Sequence, residues 1–525
     1  MTLNNIYNFR NPIRHFINID DLIYPDDIET FNPTEELCWT KPISFRVYKS
    51  DDRFRTLKIP NILNFIRAYY YYKDLPNFSN VNNFDRDHKR LVANLNTGDF
   101  VSGNYNKQLN DDFINLCNYD FLLKVDINEY YGHIYTHDLK VINDNNLKDQ
   151  PFTALNYGAT NGVIMGNYLS LYFAEYLSSL ISEELQKNIN NKSINCLYNY
   201  FSDDFYFFCN ESDIESILNI FDLVLEKFDF VRKKKKELWT YESYNSYNIL
   251  TRYWKATVRA WNLEVLKEFE RCNKLGNTEI EHKYSFINQL LYRLSKIQDE
   301  KSKRGFIVNF FKTNHFQTCD YSKYKIQAYN LHQLLFLIKK APESLLYISH
   351  IIKKTTDIKD NPKTKSFLKL RYRESLKHRL NDVQLYYYYG LKILEFNDVI
   401  EDTKDLIIES QNQVLISYYL KDNLFSKDHI EQLSTIDGEE YWFQNYHLIL
   451  YTSELKNKLD DNIKKFLLPK YLLEKKKKNK INRYIRFYKN NIEENKTFIN
   501  EISEVTSSIT NYLNLRHDET IDNYE

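Results

Sequence analysis

The spacing of apolar and polar positions separates a front part built of short strand-like runs from a back part built of long helical ones. Leu122-Leu123-Lys124-Val125 is an apolar run that stops at Asp126, and it predicts a buried strand followed by a short helix through Thr136 and His137. Asn199 to Phe201 and Phe205 to Cys209 are aromatic and strand-favouring, which places Asp203 and Asp204 at the tip of a hairpin. Arg53 to Ile59 alternates basic with apolar residues, the pattern of a strand presenting Arg53, Arg55 or Lys58 on one side. Helical spacing runs over Ile62 to Tyr72, Asn167 to about Lys187 and Ile214 to Phe228. Beyond about residue 255 the amphipathic segments lengthen: Ile280 to Lys296, Gln327 to Lys340, Pro342 to Lys353, Asp382 to Phe396, Lys404 to Leu420 and Leu455 to Leu468. Their recurrence between polar breaks predicts a stack of helical hairpins without a strict repeat. Seven of the ten prolines lie at or before Pro151, so irregular structure is expected at the front.

Three features in this pattern carry chemistry. Adjacent carboxylates within an apolar hairpin cost several kcal/mol to bury unless cations offset them, so Asp203 and Asp204 are either solvated in a polar turn or hold metal. The turn lacks the glycine that solvated hairpin tips favour. Asp126, at the end of its strand, is either a helix cap or a third such acid. Gly158, Gly162 and Gly166 fall within nine residues ahead of a long helix, which lets backbone approach a ligand or simply forms a flexible loop. Arg232-Lys233-Lys234-Lys235-Lys236 is a solvated turn or a grip for polyphosphate. His133 and His137 stand four apart without the glutamate of a zinc-protease helix, so they are not read as ligands.

Composition narrows the class. The chain has 525 residues, which favours two or three domains, and 27% charged residues with zero net charge, which argues against retention on nucleic acid by bulk charge. Aromatic content of 16% with ten glycines and ten prolines fits a packed, helix-rich chain. The six cysteines are widely spaced, with no Cys-x-x-Cys, so neither a disulfide framework nor a zinc ribbon is indicated. No apolar run has membrane-spanning length and the first residues do not read as a signal peptide, so a cytoplasmic protein without membrane contact is expected.

In order along the chain, these pieces resemble the motifs of reverse transcriptases, and specifically the abortive-infection (AbiK-type) reverse transcriptases of bacterial anti-phage defence. Asp126-Ile127-Asn128-Glu129-Tyr130-Tyr131 resembles the first catalytic motif, Gly162 to Ser170 the glycine-containing motif, and Phe201-Ser202-Asp203-Asp204 the Tyr/Phe-x-Asp-Asp motif. Arg55 to Leu63 resembles the fingers segment. The likeness covers roughly residues 41 to 240. It departs from the pattern at Ile164-Met165, where a proline is usual, and at the lysine run, where Asn-x-x-Lys is usual.

The resemblance implies an α+β fold: fingers and palm with an antiparallel sheet over 1–250, then an all-α helical-repeat domain over 251–525. It implies nucleotidyl transfer with two Mg2+ ions, Mn2+ substituting, held by Asp126, Asp203, Asp204 and the backbone of Ile127. Arg55, Lys58 and Lys235 would meet the triphosphate, Tyr131 would lie under the sugar and exclude a 2′-hydroxyl, and Gly166 would let backbone pass the nascent pair. The implied partners are dNTPs, a nascent single-stranded DNA started from a protein hydroxyl without a conventional template, and further copies of the chain. Templated synthesis on a partner non-coding RNA is an alternative, as is a nucleic-acid or protein-binding scaffold with a vestigial palm. Arg10 to His15 and Arg373 to His378 match an Arg-x4-His ribonuclease spacing, at a frequency that chance supplies.

Overall fold

A computed structural model describes residues 2–9, 12–29, 38–50, 53–99, 102–139, 148–248, 285–297, 300–317, 328–436, 438–474 and 478–521. Among these residues the fold is helix-rich with two small antiparallel sheets. The domain junction expected at 250/251, the start of the first long helical segment at 280–284, and Lys475 to Lys477 of the second basic patch lie outside the described residues.

The smaller sheet pairs β1 (Ile43–Ser50) with β2 (Arg53–Ile59). Leu57 and Ile59 are buried with Lys58 exposed between them, as alternation requires, but Arg53 and Arg55 share the parity of Leu57 and Ile59 and are exposed where the burial of that face ends, so the basic residues do not line one side of the strand as expected. The outer edge of β1 is not left open. The helix Asn381–Ile393 brings Asn381 Oδ1 to Arg46 N–H at 2.7 Å and Asp382 Oδ1 to Tyr48 N–H at 3.0 Å, so side chains close the edge that another strand would otherwise occupy.

The larger sheet has the order β4-β5-β3-β6, from β3 (Phe121–Asp126), β4 (Leu197–Phe201), β5 (Asp204–Cys209) and β6 (Glu237–Trp239). The two-residue period gives each strand two faces. Leu123, Val125, Phe205 and Phe207 join the main core beside α3 (Tyr168–Asn191) and α4 (Ile214–Glu226), while Leu122 and Phe208 pack with Leu109, Phe113, Leu116 and Tyr244 beneath α2 (Ser102–Asn118). Lys124, Asp126 and Asp204 share the parity of Leu122 and Phe208, at the end of that face where the apolar cover stops. The segment 88–90 runs beside β4: Tyr200 N–H donates to His88 O at 2.8 Å, and Arg90 N–H donates to Tyr200 O at 2.8 Å.

The back half is helical, and Tyr386 to Tyr389 are all buried in it. Two predicted segments are broken. Lys404 to Leu420 is two helices, Lys404–Ser410 and Gln413–Lys421, because Gln411 turns left-handed (φ 57) and Asn412 caps the second. Leu455 to Leu468 is likewise divided between Ser453–Lys456 and Leu459–Phe466. The helix predicted through His137 ends at His133, since Thr136 N–H turns to Thr160 O at 2.9 Å. The chain's two ends meet: Asn500 N–H donates to Phe16 O at 2.9 Å and Asn18 N–H to Phe498 O at 3.0 Å. One continuous core runs from Ile6 to Leu513. Among the described residues no helix is long and apolar enough to cross a membrane.

Candidate nucleotidyl-transfer site

The two strands that carry acids lie in a register that joins them. β3 and β5 are antiparallel neighbours with Asp126 opposite Asp204, and Ile127 N–H donates to Asp203 O at 3.0 Å. Ser202 and Asp203 form a two-residue turn between Phe201 and Asp204, with Ser202 at φ 54. That left-handed residue is held from behind. Tyr130 is buried and donates to Ala174 O at 2.7 Å, its hydroxyl lies 2.8 Å from Ser178 Oγ, and Ser178 Oγ donates to Ser202 O at 3.2 Å. The helix α3 therefore fixes the turn that presents Asp203. Asn167, just past Gly166, caps α3 by accepting Ser170 N–H at 3.0 Å.

Burial first, and crowded negative charge after it, act on the acids at this end of the sheet. Burial raises the Asp203 carboxyl above its ordinary value, and the neighbouring Asp126 and Asp204 raise it further. Burial also raises Asp204, with Lys124 acting against it. Two ammonium groups compensate: Lys124 Nζ lies 3.0 Å from Asp204 Oδ2, and Lys233 Nζ pairs with Asp126 Oδ2. Lys233 reaches that point because Ile127 bridges to Arg232, with Lys233 N–H donating to Asp126 O at 2.8 Å and Asn128 N–H to Val231 O at 2.8 Å. These ladder bonds bypass the carbonyl of the fully buried Ile127.

The sequence nominates the basic run that holds Lys233, though not Lys233 within it, and does not nominate Lys124. Lys124 is two residues before Asp126, hence on the same face of the strand, and that parity was the available signal. Lys233 stands in a run of lysines whose register only the bridge at Arg232 determines. Lys235 instead points to Glu237 at 3.9 Å and is 84% exposed.

The other sequence-nominated residues divide. Arg55, together with Arg53, Lys233 and Lys301, is near enough to Lys49 to depress its ammonium, after a larger contribution from desolvation; this draws the tip of the first hairpin and Lys233 into one basic cluster. Lys58 donates to Asn156 Oδ1 at 2.8 Å, tying β2 to the turn ahead of the glycine-rich segment. Tyr131 is half-buried, its ring 5.7 Å from that of Tyr130, and its carbonyl accepts Val163 N–H at 2.9 Å. Gly166 has φ 98, a left-handed backbone that suits glycine.

As the side chains stand, no group of three or more His, Cys, Asp or Glu among the described residues is arranged to hold a metal ion. The donor set nevertheless suits a hard divalent cation. It is all carboxylate and carbonyl oxygen, and Asp126 Oδ1 is buried without a hydrogen-bond partner. Of the Arg-x4-His pairs, Arg10 lies outside the described residues; burial holds His15 well below its ordinary value, with its ring 3.0 Å from Ser508 Oγ, and Arg373 donates to Asp402 O at 3.3 Å.

No family model matches the chain, and no curated protein matches it. Among solved structures the chain is similar to the telomerase of Candida albicans, solved in complex with a TWJ fragment of telomeric RNA. The two are 11% identical, the match covers 73% of this chain and 68% of that one, and the TM-score is 0.29. A likeness of that size carries no weight for function.

Proposed function

We propose that the protein is a nucleotidyltransferase of reverse-transcriptase type that joins dNTPs at the Asp126, Asp203 and Asp204 end of the β3–β5 pair. The observation that carries this reading is the juxtaposition of Asp126 with Asp204 across one register, with Asp203 beside them and Asp126 Oδ1 buried and unpartnered. Asp126, Asp203, Asp204 and the Ile127 carbonyl would hold Mg2+ or Mn2+, which supplies charge neutralisation and activation of the attacking hydroxyl in phosphoryl transfer. Tyr130 and Ser178 hold the Asp203 turn in place, and Lys124 opposes the rise that burial imposes on the Asp204 carboxyl. Arg55 and Lys49, in one basic cluster with Lys233, would meet the triphosphate. The finer reading follows the resemblance: a bacterial defence polymerase whose synthesis starts from a protein hydroxyl and needs no conventional template.

Purified protein incubated with Mg2+ and single labelled dNTPs tests this reading. Product that survives denaturation and is released by protease supports it, and product whose sequence follows a copurifying RNA redirects it to templated synthesis. No incorporation under any of these conditions rejects it. The ion pairs of Lys233 and Lys124 with Asp126 and Asp204 favour a second reading, a nucleic-acid-binding scaffold in which ammonium groups permanently satisfy the acids. Nucleic acid bound without incorporation is its signature.

A further inference from the structure

Away from the acids, the segment 156–161 turns outward under unusual constraint. Tyr157 is a non-glycine residue in the left-handed region (φ 54), and Gly158 follows at φ 82. An aromatic residue seldom adopts that backbone, and strain of this kind persists only where its surroundings enforce it. Here they do: Gly158 N–H donates to Thr153 O at 2.8 Å, Ala159 N–H to Asn156 O at 3.0 Å, and Asn156 is held by Lys58. The result places the Tyr157 ring in solvent, 43% exposed.

Trp39 lies directly on this turn. A Cβ added at Gly158 would stand 2.8 Å from the indole, so the glycine is the space the ring occupies. The indole stacks on Tyr471 at 5.5 Å and 28°, and the residue remains 47% exposed. Tyr135, 42% exposed, is bridged to Asn161 at the far end of the same segment. Three partly exposed aromatic residues thus lie in this loop or border it, whereas most aromatic residues among those described are buried. The cation beside them, Lys41, sits 5.2 Å over the Tyr157 ring and 3.4 Å from Glu440.

We propose that Trp39, Tyr157 and Tyr135 form a stacking surface for single-stranded nucleic acid, with bases laid on the rings and the backbone passing Lys41. This deepens the polymerase reading, on which it rests for its biological sense, by naming where a strand lies outside the acid site. Every base has a π-face, so such a surface is tolerant of sequence, and it discriminates against duplex, whose base faces are already stacked. Because Lys41 is already paired with Glu440, stacking dominates. The slope of log affinity against log salt should be shallow, about −0.7 for one phosphate contact on a single strand.

Fluorescence anisotropy on the full chain tests the surface, using a labelled oligothymidylate, the matching oligouridylate and a blunt duplex of equal length. Trp39→Ala and Tyr157→Ala should each weaken single-strand binding roughly 5- to 100-fold, the range set by loss of one stacked base. Trp39→Phe should restore most of the loss, which separates a stacking role from a folding defect. Loss in the oligothymidylate arm alone assigns the surface to DNA, loss in the oligouridylate arm alone to RNA, and either supports it. Unchanged affinity in both alanine variants, or equal affinity for duplex, overturns it. Single-dNTP incorporation by the wild-type chain keeps the two proposals apart: Trp39-dependent binding in a wild-type protein that incorporates nothing sinks the polymerase and leaves the surface, and incorporation without such binding does the reverse.

Discussion

Replacing Asp126 by Asn separates a catalytic from a structural acid cluster, because the two roles predict opposite balances of stability and activity. The substitution keeps the volume of the side chain and removes one charge. Its structural cost is the ion pair with Lys233, whose side chain is 41% exposed, so solvent screening limits the loss to about 1 kcal/mol or less. A gain opposes that cost, since Asp126 is one of the charges that hold the Asp203 carboxyl above its ordinary value. The net change in stability should therefore lie within about 1 kcal/mol, a shift of only a few degrees or less in Tm for a chain of this size. For catalysis the same change removes an oxygen ligand and one unit of charge from the site where transferring phosphate would be neutralised, a contribution of several kcal/mol. At 1.36 kcal/mol per decade this is a loss of about 10²–10⁴-fold in incorporation. A divalent ion at about 100 times its dissociation constant stabilises the wild type by about 2.7 kcal/mol, and the variant should forfeit much of that. The assay pairs single-dNTP incorporation with thermal denaturation at zero and millimolar Mg2+. Incorporation within about tenfold of wild type, with an unchanged response to Mg2+, would refute the reasoning.

Further perturbations probe the supports. Asp112 is fully buried and accepts from Arg90, Gln108 and the Tyr244 hydroxyl, so Asp112→Asn strands the buried Arg90 guanidinium and should cost about 3–5 kcal/mol in urea unfolding. An effect under about 1 kcal/mol would show that this network is not structural. Lys124→Met removes the group that lowers the Asp204 carboxyl against burial, so the acid limb of the pH–activity profile should move to higher pH; a limb that stays in place excludes Asp204 from it. His447 is buried and its imidazole is held down at about 3, so it stays neutral when folded. The unfolded histidine takes up a proton below about pH 6.5, and the native state therefore loses about 1.4 kcal/mol of stability per pH unit as pH falls from there toward 3. In His447→Gln this loss should vanish, making the fall in unfolding free energy between about pH 6.5 and 5 smaller by about 2 kcal/mol; an equal fall in both proteins would contradict the assignment.

What the sequence disclosed follows from the range of each signal. The β3 and β5 strands were legible because aromatic and apolar residues with a two-residue period report local burial, and the acids stood out as exceptions within them. Helix existence was legible for the same reason. Helix boundaries inside Lys404 to Leu420 were not, because a single left-handed residue at Gln411, followed by an Asn412 cap, breaks the helix without disturbing the apolar period on either side. The three-residue β6 is too short to leave any periodicity. That the front of the chain shares its core with the back was also invisible, since contacts such as Asn18 N–H to Phe498 O join residues almost the full chain apart.

The counter-ions of the acids mark the same limit at the scale of the site. A carboxylate in an apolar run announces that a cation must come, and says nothing of its source. For Asp204 the cation comes from Lys124, on the neighbouring strand and on the shared face, so strand parity and pairing together would have named it. For Asp126 it comes from Lys233, more than a hundred residues later in a run of near-identical lysines. Nothing local distinguishes Lys233 from Lys235. The distinction arises only when Ile127 pairs with Arg232 and places Lys233 N–H on the Asp126 carbonyl, which turns one ammonium to the acid and sends Lys235 toward Glu237. If the site binds divalent metal, Lys233 competes for the same carboxylate oxygen, and its removal should tighten the Mg2+ dependence of activity. If the acids serve only as partners for lysine, Lys233→Gln should leave the response to Mg2+ where it was.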